Sequence, residues 1–546
     1  MDKRSFLAIV LSLFVLLGYQ LLITSLYPPL PTPESLPPEQ PHPRTPQDPS
    51  PSSQPPPLSS SDSAAPAPTE KPSLEGKVIT VDTEDYIAEF SSYGGRLKSF
   101  RLKHYPQDGE HSDIPLEMVQ TGSQGELPLG VLLEGKGITI SDHDIAYVVD
   151  RDQLTLRGKN EATLEFRGRT ANGTTITKTF TLFGQGYGMT LALTTADLPP
   201  EVTTLSIVWT HAFDQHHSSY YSEPGPVALV GRKFIYKANS SIAKDPQTLG
   251  PDRIRWAGYA DSYFLAAIIP PEGDNHTLYF RANDGNVITK LALRGNEKQP
   301  VIYTVYVGPK EVDALNEVNP SLDRAIDFGW SHFIARPLLS LLRLSHTLTG
   351  NYGLDIILLT VLVKLAFFPL SNKAFKSMND MKKIQPQLEQ IREQYKDDRE
   401  KLNKEMMELY RRNHVNPFGG CLPMLVQLPV FIGLYQVLLH AIELRQAPFF
   451  GWIQDLSSPD RLGDIWLPLV DPPGIPVLTL LMGGSMLIQQ AMTPTPGDPT
   501  QQKMMMIMPV IFTVMFVNFP AGLVLYWLVN NVLSIAQQYA YNKGLV

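Results

Sequence analysis

The stretch "ILLTVLVKLAFFPL", Ile357 to Leu370, is apolar almost throughout and carries one ammonium group, Lys364, in its interior. It belongs to an apolar run over about 352–371, and roughly 20 such residues cross the hydrocarbon core of a bilayer. A charge at the centre of a span costs about 2.5–3.5 kcal/mol, against about 0.3–0.6 kcal/mol gained per Leu, Ile, Phe or Val. The neighbours therefore carry this segment into the membrane, and the lysine either snorkels to the headgroups or faces a wet interior site.

Whole-chain averages point elsewhere. With 546 residues, a formal net charge of -8, 43% hydrophobic residues and a mean hydropathy of -0.10, the chain looks like a soluble acidic protein. Those averages blend two unlike parts, because the long apolar runs lie at the N-terminus and after about residue 320. An acidic balance without a basic aromatic patch argues against nucleic-acid binding. Cys421 is the only cysteine, so no intramolecular disulfide forms.

Towards the N-terminus, residues 5–27 follow Lys3 and Arg4 and are long enough to span, ending in bulky "SLYPP" rather than a small-residue cleavage site. Residues 1–27 are expected to be a retained anchor with its N-terminus in the cytoplasm. Residues 28–74 are rich in Pro and Ser and read as an extended, disordered tether. Residues 75–320 carry short alternating runs such as "DQLTLRG" and "TTITKTFTLF", with "ANGT" as a hairpin signal. Many strands without interleaved helices imply an antiparallel sandwich or barrel, which the anchor places in the periplasm of a two-membrane bacterium. "GQGYG", Gly184 to Gly188, lies between strands and reads as a turn rather than a nucleotide loop. His211, His216 and His217 lack metal-ligand spacing and read as loop histidines.

Residues 321–350 turn helical. His332, Arg336, Ser340, Arg343 and Thr347 share one face, while Trp330, Phe333, Ile334, Leu338, Leu341 and Leu342 cover much of the rest. That is an amphipathic helix in the membrane interface, broken near Pro337, with packing on the soluble domain as the alternative. Beyond the second span, four more are expected at 422–440, 465–491 (interrupted by "DPPGIP"), 504–519 and 522–540. Basic residues concentrate between 373 and 412, whereas the next loop holds only Arg445 and Arg461 and "NFPAG" holds none. The positive-inside rule then gives six spans with both termini cytoplasmic. Within 351–546, the segment 373–415 reads as a helical hairpin sealed by Met378, Met381, Ile384, Leu388, Ile391 and Tyr395 against Leu402, Met406, Leu409 and Tyr410. Pro386 should bend its first helix. Its charges make a solvated face or attract lipid headgroups or ribosomal RNA.

Lys364 has polar company. Thr360 is one turn away on the same face, and Gln427 lies between Pro423 and Pro429. Tyr526, Asn530, Ser534 and Gln537 form a stripe on the last span, as Ser485 and Gln489 do on the fourth. Such stripes serve as ordinary interhelical hydrogen bonds or line a hydrated groove, and a lysine among them favours the groove. Met504, Met505, Met506, Met508 and Met515 enrich the fifth span in thioethers, which suit varied apolar partners as well as core filling. No nucleophile elbow, metal motif, P-loop or acid–base pair appears, so neither a catalytic residue nor a cofactor is expected.

"NPFGGCLPMLVQLPVFIGLY" (Asn416–Tyr435), "ELRQAPFFGWIQDLS" (Glu443–Ser457), "DPTQQKMMMIMPVIFTVMF" and "FPAGLVLYWLVNN" (Phe519–Asn531), with "YGGRLKSF" (Tyr93–Phe100), strongly resemble the YidC membrane protein insertases of Gram-negative bacteria. The resemblance implies a polytopic α-helical membrane protein in the inner membrane. It would have a five-helix insertase core, a hydrophilic groove shut towards the periplasm, and a periplasmic all-β supersandwich. It implies nascent membrane proteins as clients, delivery by ribosomes and the signal recognition particle pathway, work alone or with the Sec translocon and its accessory subunits, and contact with membrane lipids. Lys364 stands where the family often has arginine, which keeps the charge but loses the planar fork. Thr360 and Gln427 match groove positions and Phe431 a client-contacting one, while Tyr526 and Trp527 stand where some relatives carry an aromatic pair. Asn518 replaces an aromatic found in some relatives, implying a shorter apolar track. A passive assembly scaffold and a proton-coupled transporter titrating Lys364 are the competing functions.

Overall fold

The structure is a computed structural model that describes residues 76–107, 114–121, 126–212, 223–273, 276–283, 285–295, 300–396, 398–415, 422–468, 470–492 and 499–545. The expected anchor and tether, His216, His217 and Cys421 lie outside the described residues.

From Val78 to Pro309 the described chain is almost entirely strand, in sheets of five, nine and six strands. Pairing is antiparallel except between Val78–Asp82 and Gln153–Thr155. Period-2 alternation produces this arrangement, since it gives each strand one face to bury. In Thr175–Phe183 every second residue (Ile176, Lys178, Phe180, Leu182) is buried. Its partner Glu161–Arg169 is joined to it through the expected turn at Asn172–Gly173, where Gly173 has φ 85°. "GQGYG" is also a turn between strands.

Lys178 occupies an inward position and is fully buried. Its three protons go to the carbonyls of Gly94 (2.9 Å), Gly95 (3.0 Å) and Leu129 (2.9 Å). Asp142 Oδ2 lies 2.5 Å from the same nitrogen, an attraction that is Coulombic because no proton remains to point at it. Arg96, from "YGGRLKSF", donates to Asp142 Oδ1 at 2.7 Å and to the Leu127 carbonyl at 3.2 Å. Burial pushes the Lys178 ammonium down to about 8, with Asp142 opposing the shift and Arg96 adding to it. Between pH 8 and 10.5 the unfolded chain therefore holds a proton that the folded chain has released, so this group makes stability rise with pH across that window. The unfolding temperature of the sandwich, followed by proteolysis of the full chain, should climb less steeply from pH 8 to 9.5 in Lys178→Met than in the parent. Equal slopes would remove Lys178 as the cause.

The remainder is helical. Short helices α1 (Asn239–Lys244) and α2 (Val312–Val318) belong to the sandwich and its exit. After them come α3 (His332–Thr349), α4 (Tyr352–Gln394), α5 (Arg399–Arg412), α6 (Leu422–His440), α7 (Val477–Met492), α8 (Pro499–Phe516) and α9 (Ala521–Asn542). α3 runs unbroken through Pro337, correcting the expected break, because a proline removes a single hydrogen bond and the apolar seam offsets it. That seam, Ala335, Leu338, Leu339 and Leu342, packs on α4 and α6. A second apolar face with Phe333, Leu341, Leu344 and Leu348 stays exposed. Arg336 pairs with Asp323 at 3.0 Å, and Arg343 with Asp313. Gly350, at φ 63°, ends α3 in the left-handed conformation, and the Asn351 side chain then caps α4 by accepting from Leu354 N at 3.1 Å.

α4 also differs from expectation. It is one helix of 43 residues, continuous through Pro369 and Pro386, so the second span and the first arm of the hairpin are a single rod. Its far end does seal against α5: Met381, Ile384 and Leu388 bury against Met406, Leu409, Tyr410 and Val415. The expected span over 465–491 is helical only from Val477. Pro472, Pro473 and Pro476 lack N–H groups, which leaves 461–476 as loop. Asp460 caps the helix from outside, accepting from Leu478 N at 2.7 Å and from the Thr479 hydroxyl at 3.0 Å. α7 and α8 approach closely at Gly483, where a Cβ would collide with Thr513. Among the described residues α4 alone is long and apolar enough to cross a membrane, with shorter apolar helices at Gln427–His440, Val477–Met492 and Met504–Phe516.

Candidate functional site

One edge of α9 carries Asn530, Ser534 and Gln537, spaced by four and three so that they share a face. Each reaches a different neighbour. Gln427 on α6 donates to Asn530 Oδ1 at 3.0 Å, Lys364 on α4 donates to Ser534 Oγ at 2.8 Å, and Gln537 donates to Asn372 Oδ1 on α4 at 2.8 Å. The Ser534 hydroxyl gives its own proton to the Asn530 carbonyl at 2.7 Å, which leaves its oxygen free to accept from Lys364. The polar ladder thus joins three helices. Lys364 and Asn372 are eight residues apart, about 12 Å along α4.

An ammonium has three protons. Among the described residues, the bond to Ser534 is the only one that Lys364 makes, and no carboxylate pairs with it. The buried acid of α4, Asp355, is engaged by His346 Nδ1 at 2.9 Å and by the Thr349 hydroxyl at 2.7 Å. Lys364 is partly exposed and keeps two protons for water or for an incoming acceptor.

An aromatic cluster abuts the ladder. Phe431 of α6 meets Trp527 edge-on at 4.9 Å and stacks near Tyr526 at 6.2 Å. Trp527 in turn contacts Phe516 of α8 at 5.0 Å. Gln427 and Phe431 are one turn apart on α6, so one helix face is polar beside Asn530 and aromatic beside Trp527.

Not every expected residue joins this site. Thr360 is buried and its hydroxyl bonds the Ile356 carbonyl of its own helix at 2.6 Å, not Lys364. Ser485 accepts from Asn531 at 3.0 Å, and Gln538 donates to the Met492 carbonyl at 2.9 Å. These contacts make a second polar edge of α9 facing α7, so Ser485 belongs there and not with Lys364. Met508 and Met515 are 43% and 50% exposed on the outer side of α8, beside Ile507, Ile511 and Val514. Asn518 is a loop staple, accepting from Arg461 at 2.9 Å and from Asp471 N at 3.1 Å. Sequence reasoning missed Asn372, Asn531 and Gln538. The spacing of seven between the last two was its available signal.

Two family models match the chain. The one described as the 60Kd inner membrane protein covers residues 344–546, and the one described as the YidC periplasmic domain covers 78–341. A membrane protein insertase YidC of Syntrophus aciditrophicus (strain SB) is 38% identical over 563 residues, spanning all of both chains. One from Oleidesulfovibrio alaskensis is 39% identical over 557 residues, 98% of each chain. A crystal structure described as an active YidC insertase with the first transmembrane domain resolved covers 85% of this chain and 94% of its own, at 20% identity and a TM-score of 0.38.

Proposed function

Because this chain belongs to the YidC family of membrane protein insertases, we propose that the Lys364 ladder walls a hydrated groove that takes up the polar segments of its clients. The protein is a bacterial inner membrane protein with a periplasmic β-sandwich domain, and it inserts other membrane proteins. The observation that carries the proposal is an ammonium in an apolar helix with two uncommitted protons and no carboxylate partner among the described residues. Water in a groove there lowers the desolvation cost of a polar client segment, and Lys364 attracts its acidic residues. The client's apolar segment leaves past Phe431 and Trp527, then over the exposed methionine-rich face of α8 into lipid. Hydrophobic partition supplies the driving force.

The topology that fits has six spans: the N-terminal anchor, the first half of α4, and α6, α7, α8 and α9. The α4–α5 hairpin and both termini lie in the cytoplasm, and the sandwich with α3 lies outside. Under this arrangement the domains are 1–27, 28–74, 75–320, 321–350 and 351–546, the ribosome delivers clients on the hairpin side, and the Sec translocon is a lateral partner.

A photo-crosslinking side chain placed at Phe431 or Trp527 should capture a stalled nascent membrane protein, whereas one at exposed Val148 in the sandwich should not. Capture confined to Val148 would favour an assembly scaffold over an insertion groove.

A further inference from the structure

A small open cleft, of roughly 160 Å³, lies where the sandwich meets the end of α6, enough for a headgroup-sized fragment and not for a whole drug-sized ligand. Phe234 and Tyr236 come from the strand Lys233–Tyr236, Asp261 follows the strand Ile254–Ala260, and Lys310 follows the strand Val301–Pro309. Asp327 follows the short turn Pro320–Ala325, and His440 is the last residue of α6. Five separate segments therefore deliver charged or titratable groups to one cavity.

Their hydrogen bonds leave specific atoms open. Asp261 Oδ1 accepts from the N–H groups of Tyr263 (2.8 Å) and Phe264 (2.7 Å), and Asp327 Oδ1 accepts from Gly329 N (2.9 Å). The Oδ2 atom of each has no partner among the described residues. Lys310 gives one proton to the Asp261 backbone carbonyl and keeps two. His440 Nδ1 faces the Gln436 carbonyl at 3.0 Å, which assigns the proton to Nδ1 and leaves Nε2 as an acceptor in the neutral ring. Among the lining residues two carboxylates face one ammonium, a balance of one negative charge, and the two aromatic rings add attraction for a cation. No group of residues among those described could hold a metal ion. The chemistry that fits is a primary ammonium tethered to a phosphate: acceptors for the first, Lys310 for the second.

We infer that this cleft holds the zwitterionic headgroup of an ethanolamine phospholipid, its ammonium between Asp261 and Asp327 and its phosphate on Lys310. Location selects lipid over a soluble ligand. His440 ends an apolar helix, and Trp330 and Phe333 stand exposed within a few residues of Asp327, as aromatic residues do at headgroup depth. The inference rests on the proposed topology, in which α6 runs outward and ends at the outer face of the membrane.

The test uses the full chain in maltoside micelles, titrated with dihexanoyl phosphatidylethanolamine, dihexanoyl phosphatidylglycerol and free phosphoethanolamine. The ethanolamine lipid should bind saturably and about ten-fold more tightly than the glycerol lipid, which shares its phosphate but lacks the ammonium. Asp327→Asn, which keeps an oxygen for Gly329, and Lys310→Met should each weaken it about ten-fold, while Asp313→Asn outside the cleft should not. Equal affinity for both lipids, or unchanged affinity in Asp327→Asn and Lys310→Met, overturns the inference. Phosphoethanolamine binding as tightly as the lipid overturns the lipid as its source. Labelling of Gln446→Cys separates the two readings. Reaction from the periplasmic side without lipid binding sinks this inference alone, and reaction from the cytoplasmic side sinks the topology.

Discussion

Lys364→Ala reduces insertion of clients with acidic translocated segments by about ten-fold, the effect of losing one charge-assisted contact in a partly desolvated site. Clients whose translocated segments have been neutralised lose far less. Lys364→Arg retains insertion of both, because the guanidinium keeps the charge and reaches the same Ser534 hydroxyl from α4. The experiment is protease protection of pulse-labelled clients in cells depleted of the parent protein and supplied with each variant. Ser534→Ala belongs in the same series. It removes the one partner that holds Lys364, so the ammonium gains freedom without losing charge, and its effect should be smaller than that of Lys364→Ala. If the alanine variant inserts acidic and neutralised clients equally well, electrostatic attraction is not what Lys364 does.

Asp142→Ala should destabilise the sandwich as much as truncating one of its buried tryptophans. It removes the one carboxylate that faces two buried cations, Arg96 at 2.7 Å and Lys178 at 2.5 Å. Breaking a buried ion cluster on one side costs about 3–5 kcal/mol, because the remaining charges keep their desolvation penalty and lose their compensation. A typical domain has only about 5–15 kcal/mol in total. For a unit of this size each kcal/mol moves the unfolding temperature by about 2–4 °C, so a fall of about 6–20 °C is expected. Thermal proteolysis of the full chain reads it directly. Replacing all three residues together, with Arg96→Met, Asp142→Leu and Lys178→Met, leaves no charge unpaired but takes the donors from the carbonyls of Gly94, Gly95, Leu129 and Leu127, so it should recover part of the loss. A triple variant as unstable as Asp142→Ala would locate the damage in packing and in the orphaned carbonyls rather than in charge.

Periodicity in the sequence was enough to place strands between 78 and 309 and helices after 312, because alternation and 3.6-residue spacing each declare one buried face. It was enough to mark Lys364, Gln427, Asn530 and Ser534 as polar groups in apolar helices. It could not give the rotation of one helix against another. Sequence therefore groups Ser485 with Lys364, although Ser485, on α7, meets the other edge of α9 at Asn531. Local rules also overstated Pro337, which sits inside a continuous helix whose apolar seam holds it together. In "TTITKTFTLF" the lysine stands in the inward phase, and that position was legible. Its partners Arg96 and Asp142 were not, since they come from residues 82 and 36 positions away and only the fold brings them together.

The unbroken course of α4 has a mechanical meaning. Thirty residues separate Lys364 from Gln394, about 45 Å at 1.5 Å per residue. Such a rod is a lever: a swing of a few degrees about its docked end carries the tip several ångströms and turns the intervening residues with it. Lys364 and the hairpin are therefore linked by helix alone, with no loop between them, and Pro369 and Pro386 are the points on the way where the hydrogen-bond ladder loses a rung.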